Sequence, residues 1–263
     1  MARFLDRLEE IWIGKVAIPS LIGETEIGPM IYAPSEGEIY DEIYTQEVLD
    51  ELDGYLSAAT KVVPSGSPEA MRVATLRRRF FEPLAARRKT LTVSIADELA
   101  RRRNDPHSSL LDGLKWPADK VHHCSFDAGE NVTGSPSIRI DATNTVYLAL
   151  PLRGIKDKLR PFGKYRLSYF IKTTGMEPVS GTKRGKGATV EIEERGDGVK
   201  YRAVRYPGSG FWLGPKDWRC HVFDVTLGGD VNREGYRPTL WLRVFGAKGT
   251  VWFDGIRLEA VAN

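Results

Sequence analysis

The chain has 263 residues, 41% hydrophobic and 28% charged, the composition of a globular protein with enough length for one or two domains. Its net charge of +3 is too small to argue for nucleic acid, and no apolar run approaches the length of a membrane span. The N-terminal Met1–Arg7 enters an amphipathic pattern directly and does not read as a signal peptide, so the chain is expected to be either cytoplasmic or a piece of a longer protein.

The first hundred residues carry the helical period. Phe4, Leu5, Leu8, Ile11 and Trp12 recur at helical spacing. Pro19, Gly23, Gly28 and Pro29 then break the pattern, so residues 14–40 are predicted to be an extended connection. Thr45 is placed to cap a second helix whose apolar stripe is Val48, Leu52, Tyr55, Leu56 and Ala59. Ser67 and Pro68 open a third, because a proline at the first helical position gives up an N–H that would have no partner there. Met71, Val73, Leu76, Phe80 and Leu84 continue it, with Pro83 expected to kink or divide it. Helix resumes through Ile95 and Leu99 before the stop at 101–106. Residues 71–103 hold ten Arg or Lys against three Asp or Glu. Such a stripe could track phosphates. No aromatic platform interleaves with it, however, and a solvated helix face with Arg stems over apolar neighbours is the simpler reading.

From about residue 118 the period changes to two. Tyr165, Leu167, Tyr169 and Ile171 alternate onto one face, and 189–193 alternates cleanly. Further strand-like runs are 137–140, 145–150, 218–227, 240–245 and 251–258, separated by Gly- and Pro-rich turns at 181–187, 207–210 and 228–229. Short strands with turn signals between them predict an antiparallel sandwich rather than a parallel α/β sheet. In the last strand, Val251 and Phe253 are expected on one face, with Trp252, Asp254, Ile256 and Leu258 on the other. Asp254 among bulky apolar neighbours either has a partner or is a solvated edge residue.

Few residues suggest catalysis. Glycoside hydrolysis needs two carboxyl groups facing one another across a sugar, but the adjacent pairs Glu193-Glu194 and Asp41-Glu42 read as solvated strand-end or turn residues. There is no nucleophile-elbow motif, phosphate loop or dinucleotide fingerprint. His122-His123-Cys124 and Cys220-His221 offer the right ligand types for zinc. Neighbours on a strand point to opposite faces, so the spacing is wrong and ordinary sheet residues fit better. The two cysteines either form one bridge, if the protein is secreted, or are small core thiols. The ligand candidates are aromatic. Tyr169, Tyr201, Tyr206, Trp212 and Trp241 lie in the sheet half, and the glycine-rich loop 207–214 is placed to present some of them. For each one the alternative is core or edge packing.

Several pieces of residues 121–263 occur in an order that resembles the jelly-roll carbohydrate-binding modules of polysaccharide-degrading enzymes. They are Phe126-Asp127, the Gly134–Ile140 strand, Gly163–Tyr169 followed by Lys172, Trp218 opening a later strand, and the closing Trp252-Phe253-Asp254. The resemblance implies non-catalytic binding of an oligosaccharide or polysaccharide, and a structural Ca²⁺ ligated by Asp127 and Asp254. This chain departs from the family at Asp127, where Glu is usual; the shorter arm weakens the case for ligation there. Residues 1–105 resemble the region after the barrel in large bacterial glycoside-hydrolase-like proteins related to α-glucuronidases. The matching pieces are the helix Phe4–Trp12, the segment Ile43–Leu49 and the helical pair 68–103. That resemblance implies a catalytic hydrolase-like partner domain that this chain lacks.

The expected fold is therefore α+β: a helical segment over 1–105 followed by a β-jelly-roll over 118–263. The leading functional expectation is carbohydrate binding that tethers a hydrolase to polysaccharide, with no enzyme activity, nucleic acid or membrane partner. The alternatives are a structural accessory sandwich that binds no sugar, separated from the first by whether one exposed sheet face carries an aromatic row, and a hydrolase fragment with unrecognised acids. If the parent protein is secreted, the location is extracellular or periplasmic.

Overall fold

The computed structural model describes residues 2–17, 21–25, 28–31, 39–91, 93–105, 109–180, 186–205 and 214–261. They fall into two compact units, Met1–Leu91 and Thr92–Asn263. The helix around Ile95–Leu99 thus belongs to the second unit, whereas the sequence reading extended the first segment to residue 105.

In the first unit, α1 (Ala2–Ile11), α2 (Gln46–Val62), α3 (Pro68–Leu76) and α4 (Glu82–Leu91) are the α-helices among the described residues. Thr45 caps α2 by accepting from Val48 N, and Ser67 caps α3 by accepting from Ala70 N, with Pro68 in the first turn. A π-helical stretch, Arg77–Phe81, joins α3 to α4 immediately before Pro83. The wider turn absorbs the missing N–H, and it divides the helix into α3 and α4 where a kink or division at Pro83 was expected. Phe4, Ile11, Leu49, Leu52, Leu56 and Val73 form the core of this unit. A short hairpin, β1 (Leu21–Thr25) with β2 (Gly28–Ile31), lies inside the predicted extended connection.

The second unit begins with α5 (Ile95–Asn104), capped by Ser94. Nine strands follow among the described residues: β3 (Cys124–Asp127), β4 (Ser137–Ala142), β5 (Val146–Pro151), β6 (Lys164–Pro178), β7 (Gly187–Arg195), β8 (Arg202–Arg205), β9 (Gly214–Thr226), β10 (Arg237–Phe245) and β11 (Ala247–Ala260). They form two antiparallel sheets, ordered β3-β4-β11-β6-β9 and β5-β10-β7-β8. From β4 to β11 successive strands alternate between the sheets as in a jelly roll, except that β7 and β8 pair with each other in the four-stranded sheet. The expected α+β class with a β-sandwich is the one observed.

Alternation places the core. Leu148 and Leu150 of β5, Leu240, Leu242 and Val244 of β10, and Val190 and Ile192 of β7 point inward. They meet Leu167, Tyr169 and Ile171 of β6 and Val251 and Phe253 of β11. Burying each large apolar side chain contributes about 1.5–3 kcal/mol, which is what holds the two layers face to face. The expected faces of β11 hold only to Asp254. There the pairing with β6 shifts register between Asp254 and Arg257, with Gly255 at φ +54. The bulge inserts extra chain, so Leu258 turns into the core opposite Leu167, and Arg257 and Glu259 take the outer face.

The outer face of the five-stranded sheet is covered over part of its area by α5. Arg102 donates to Gly255 O across 2.6 Å at the bulge and to Ser168 Oγ across 3.0 Å. Glu98 is fully buried between Arg101, Arg102 and Arg166. Burial opposes its ionisation, but the three guanidinium groups outweigh burial and hold its carboxyl well below the usual range. The basic stretch before the sandwich is thus partly consumed at Arg101 and Arg102 in structural ion pairs.

Candidate functional site

Four strands build an open face. On β10 the residues opposite the core are Arg237, Thr239, Trp241, Arg243 and Phe245. In register with them, β5 presents Tyr147 beside Arg243. On the other side, β7 presents Thr189, Glu191, Glu193 and Arg195 beside Arg243, Trp241, Thr239 and Arg237 respectively. The rise per residue makes this β10 row about 27 Å long. The sequence makes the face by placing aromatic and charged residues at alternate positions of strands whose other positions are Leu, Ile and Val.

The face is aromatic and accessible along β5 and β10 and beside Tyr201, whereas Thr189, Glu191 and Glu193 of β7 are buried. Tyr147, Phe245 and Tyr201, just before β8, are 44%, 45% and 55% exposed, and Trp241 is half-buried between them. Tyr147 and Trp241 meet edge-on with centroids 6.2 Å apart. The Arg243 guanidinium lies over both rings, 4.7 Å from Trp241 and 5.3 Å from Tyr147. The same guanidinium binds Glu191 at 2.6 Å and Glu193 at 2.9 Å, and both carboxylates are buried. Trp241 Nε1 and Arg243 Nε are buried without a hydrogen-bond partner among the described residues, a costly arrangement for a donor.

At the Arg237 end the face deepens into a cleft of about 470 Å³, lined by residues including Glu193, Arg195, Tyr201, Arg237, Thr239 and Trp241. Its rim is two turns pressed together. Gly196, at φ +151, stands so near the preceding turn of β10 that a Cβ there would lie 2.2 Å from Gly235 O. Only glycine permits that approach.

The aromatic candidates separate. Tyr201 and Trp241 line the same cleft. Tyr169 does not join them: it is wholly buried on the inner face, its hydroxyl 3.0 Å from His221 Nδ1. Its place among Tyr165, Leu167 and Ile171 makes it a core residue out of reach of a sugar. Tyr206, Trp212 and the loop around them lie outside the described residues. Tyr147 and Phe245 were missed as candidates. The available signal was an aromatic residue at the outward phase of an alternating strand, opposite Leu148 in one case and Val244 in the other.

Asp127 and Asp254 are both satisfied without a metal. Asp254 accepts from Val132 N at 2.6 Å, Thr133 N at 2.8 Å and Thr133 Oγ1 at 2.8 Å. Asp127 accepts from Gly129 N at 2.9 Å, Glu130 N at 3.2 Å and Trp252 Nε1 at 2.9 Å. The Trp252 indole N–H, then the Gly129 N–H, hold the Asp127 carboxyl below its usual range, and the Arg139 guanidinium stands 3.7 Å away. Calcium needs six to eight oxygen ligands. A carboxylate already surrounded by N–H donors and an arginine does not fit it, and the 128–133 turn supplies donors where the resemblance implied an ion. Among the described residues no three His, Cys, Asp or Glu are grouped to hold a metal.

The zinc arrangement does not form either. His122 and His123 meet edge-on with centroids 3.8 Å apart. Cys124 packs against the core, whereas Cys220 pairs with Phe170 on the outer face under α5. Both thiols are free, and burial raises them to about 11 and about 12. No helix among the described residues is long and apolar enough to cross a membrane.

No family profile matches the chain, and no curated protein matches it. Among solved structures it is similar to a family 22 xylan-binding domain from Paenibacillus barcinonensis, with 15% identity, a TM-score of 0.42, and coverage of 59% of this chain and 93% of that one. It is also similar to the C-terminal family 22 carbohydrate-binding module of a Clostridium thermocellum protein, with 12% identity, a TM-score of 0.40, and coverage of 58% and 91%. A family 16 carbohydrate-binding module matches at 16% identity and a TM-score of 0.37, covering 58% of this chain and 96% of that chain.

Proposed function

We propose that the sandwich binds a carbohydrate chain, without cleaving it, along the outer face of the β5-β10-β7-β8 sheet. The observation that carries this reading is the aromatic row of Tyr147, Trp241 and Tyr201 on one exposed sheet face, with charged hydrogen-bonding groups interleaved at fixed register. Sugar rings present apolar C–H faces that pack on aromatic rings, while their hydroxyls take hydrogen bonds from neighbouring polar groups. Strands fix those groups more firmly than loops do. In the setting the sequence resemblance implies, such a module holds a hydrolytic domain on its polysaccharide.

The buried pair Glu191 and Glu193 does not favour a hydrolase. Glycoside hydrolysis uses one carboxyl group as a proton donor and the other as nucleophile or base. Here one guanidinium ties both carboxylates down. An accessory sandwich that binds nothing accounts less well for three large aromatic side chains on one open face.

Calorimetric titration of the chain with xylan, mannan, β-glucan and polygalacturonate tests the proposal. At least one is expected to bind with a Kd on the order of 0.01–1 mM, and Tyr201→Ala is expected to weaken it about tenfold without changing the circular dichroism spectrum. No binding by any of the four, or undiminished binding by Tyr201→Ala, would count against the proposal.

A further inference from the structure

We infer that the glycan carries carboxylates, and that Arg195 and Arg237 are the residues that read them; this rests on the glycan-binding reading above. Arg195 ends β7, Arg237 begins β10, and the two are direct cross-strand partners. Both side chains lie on the outer face and line the cleft with Tyr201 and Trp241. They are 61% and 55% exposed.

Like charges set directly opposite each other weaken a strand pair, yet the two arginines face each other here. The strand ends do not splay to relieve this, because the Gly196–Gly235 approach clamps the two turns together. The carboxylates nearby do not occupy both forks. Asp197 is 4.0 Å from Arg237 and almost fully exposed, and exposed pairs of that kind contribute little. Glu193 meets Arg195 at Nε and is already shared with Arg243. The Arg195 guanidinium also lies over the Tyr201 ring, 5.5 Å from its centre. A sugar stacked in the cleft therefore brings its substituents to a pair of planar forks. Such forks take a carboxylate through two parallel N–H bonds, a geometry lysine does not offer. The ligand class this describes is a uronate-bearing polysaccharide.

The test compares chemically matched ligands: glucuronoxylan and polygalacturonate, each before and after reduction of its carboxyl groups, titrated into the full chain. The acidic form of at least one is expected to bind about tenfold or more tighter than its reduced form. The double variant Arg195→Gln/Arg237→Gln is expected to remove that difference, so that it binds the acidic and reduced forms equally. Arg237→Lys, which keeps the charge and loses the fork, is expected to lose most of the preference; full retention would overturn the reading role of Arg237. Equal wild-type affinity for acidic and reduced forms would overturn the uronate assignment and leave glycan binding standing. Dextran sulfate bound as tightly as polygalacturonate would also overturn it, since charge alone would then suffice. Failure of every polysaccharide, acidic or reduced, to bind would overturn the glycan reading and this inference with it.

Discussion

Arg243 carries its guanidinium carbon 4.7 Å from the centre of the Trp241 ring while its terminal nitrogens bind the buried carboxylates of Glu191 and Glu193. One side chain thus bridges the two buried carboxylates of the face, with Arg195 pairing Glu193 as well, and packs on its central aromatic residue. Breaking a buried pair from one side leaves a charge without compensation. Arg243→Met is expected to lower stability by about 3 kcal/mol in urea denaturation. Adding Glu191→Gln and Glu193→Gln to it is expected to recover a substantial part of the loss. A single variant as stable as wild type would show that the pair contributes little.

The turn 128–133 closes the sandwich where a calcium ion was expected. Asp254 takes two backbone N–H donors and a hydroxyl from Val132 and Thr133, and Asp127 takes two backbone N–H donors and the Trp252 indole. Neither excess chelator nor added calcium is expected to move the melting temperature. Asp254→Ala leaves two N–H groups seeking acceptors and is expected to cost about 3 kcal/mol. A melting temperature that rises with calcium would contradict the account of this turn.

His221 makes the stability depend on pH. Burial, then the nearby Arg219 and Lys216, lower its pKa to about 3 from an ordinary 6.5. Between these values the unfolded chain binds a proton that the native state does not, so stability falls as the pH drops below 6.5. The slope contributed by this one group is at most about 1.4 kcal/mol per pH unit. Between pH 6.5 and 5, above the range in which most carboxylates titrate, His221→Gln is expected to flatten the dependence measured by urea denaturation. An unchanged slope in that variant would show that other groups set it.

The sandwich was legible because its strands alternate cleanly: Leu148, Leu150, Leu240 and Leu242 mark one phase, and turns rich in glycine mark the ends. The same alternation identifies Tyr169 as interior, since it shares a phase with Leu167 and Ile171, and identifies Tyr147 and Phe245 as exterior. Residue type alone does not separate them, because tyrosine suits either side. Register is what periodicity leaves open. A single bulge at Gly255 reverses Leu258, and no local signal except the glycine marks it. The hydrogen-bonded turn at Asp127 and Asp254 was hidden for another reason. Two carboxylates at the ends of strands look alike in sequence whether an ion or a ring of N–H donors satisfies them.

The central claim is that the ligand lies on the outer face of the four-stranded sheet, and the indole N–H of Trp241 reports on that directly. Nitrogen–proton correlation spectra of the labelled chain, with indole peaks assigned by Trp→Phe variants, are recorded during titration with the oligosaccharide of whichever polysaccharide binds. The account predicts that the Trp241 indole peak shifts progressively to saturation, while the Trp252 peak, whose proton is held by Asp127 on the other sheet, stays in place. Saturation that moves the Trp252 or Trp116 indole and leaves Trp241 unmoved would contradict it.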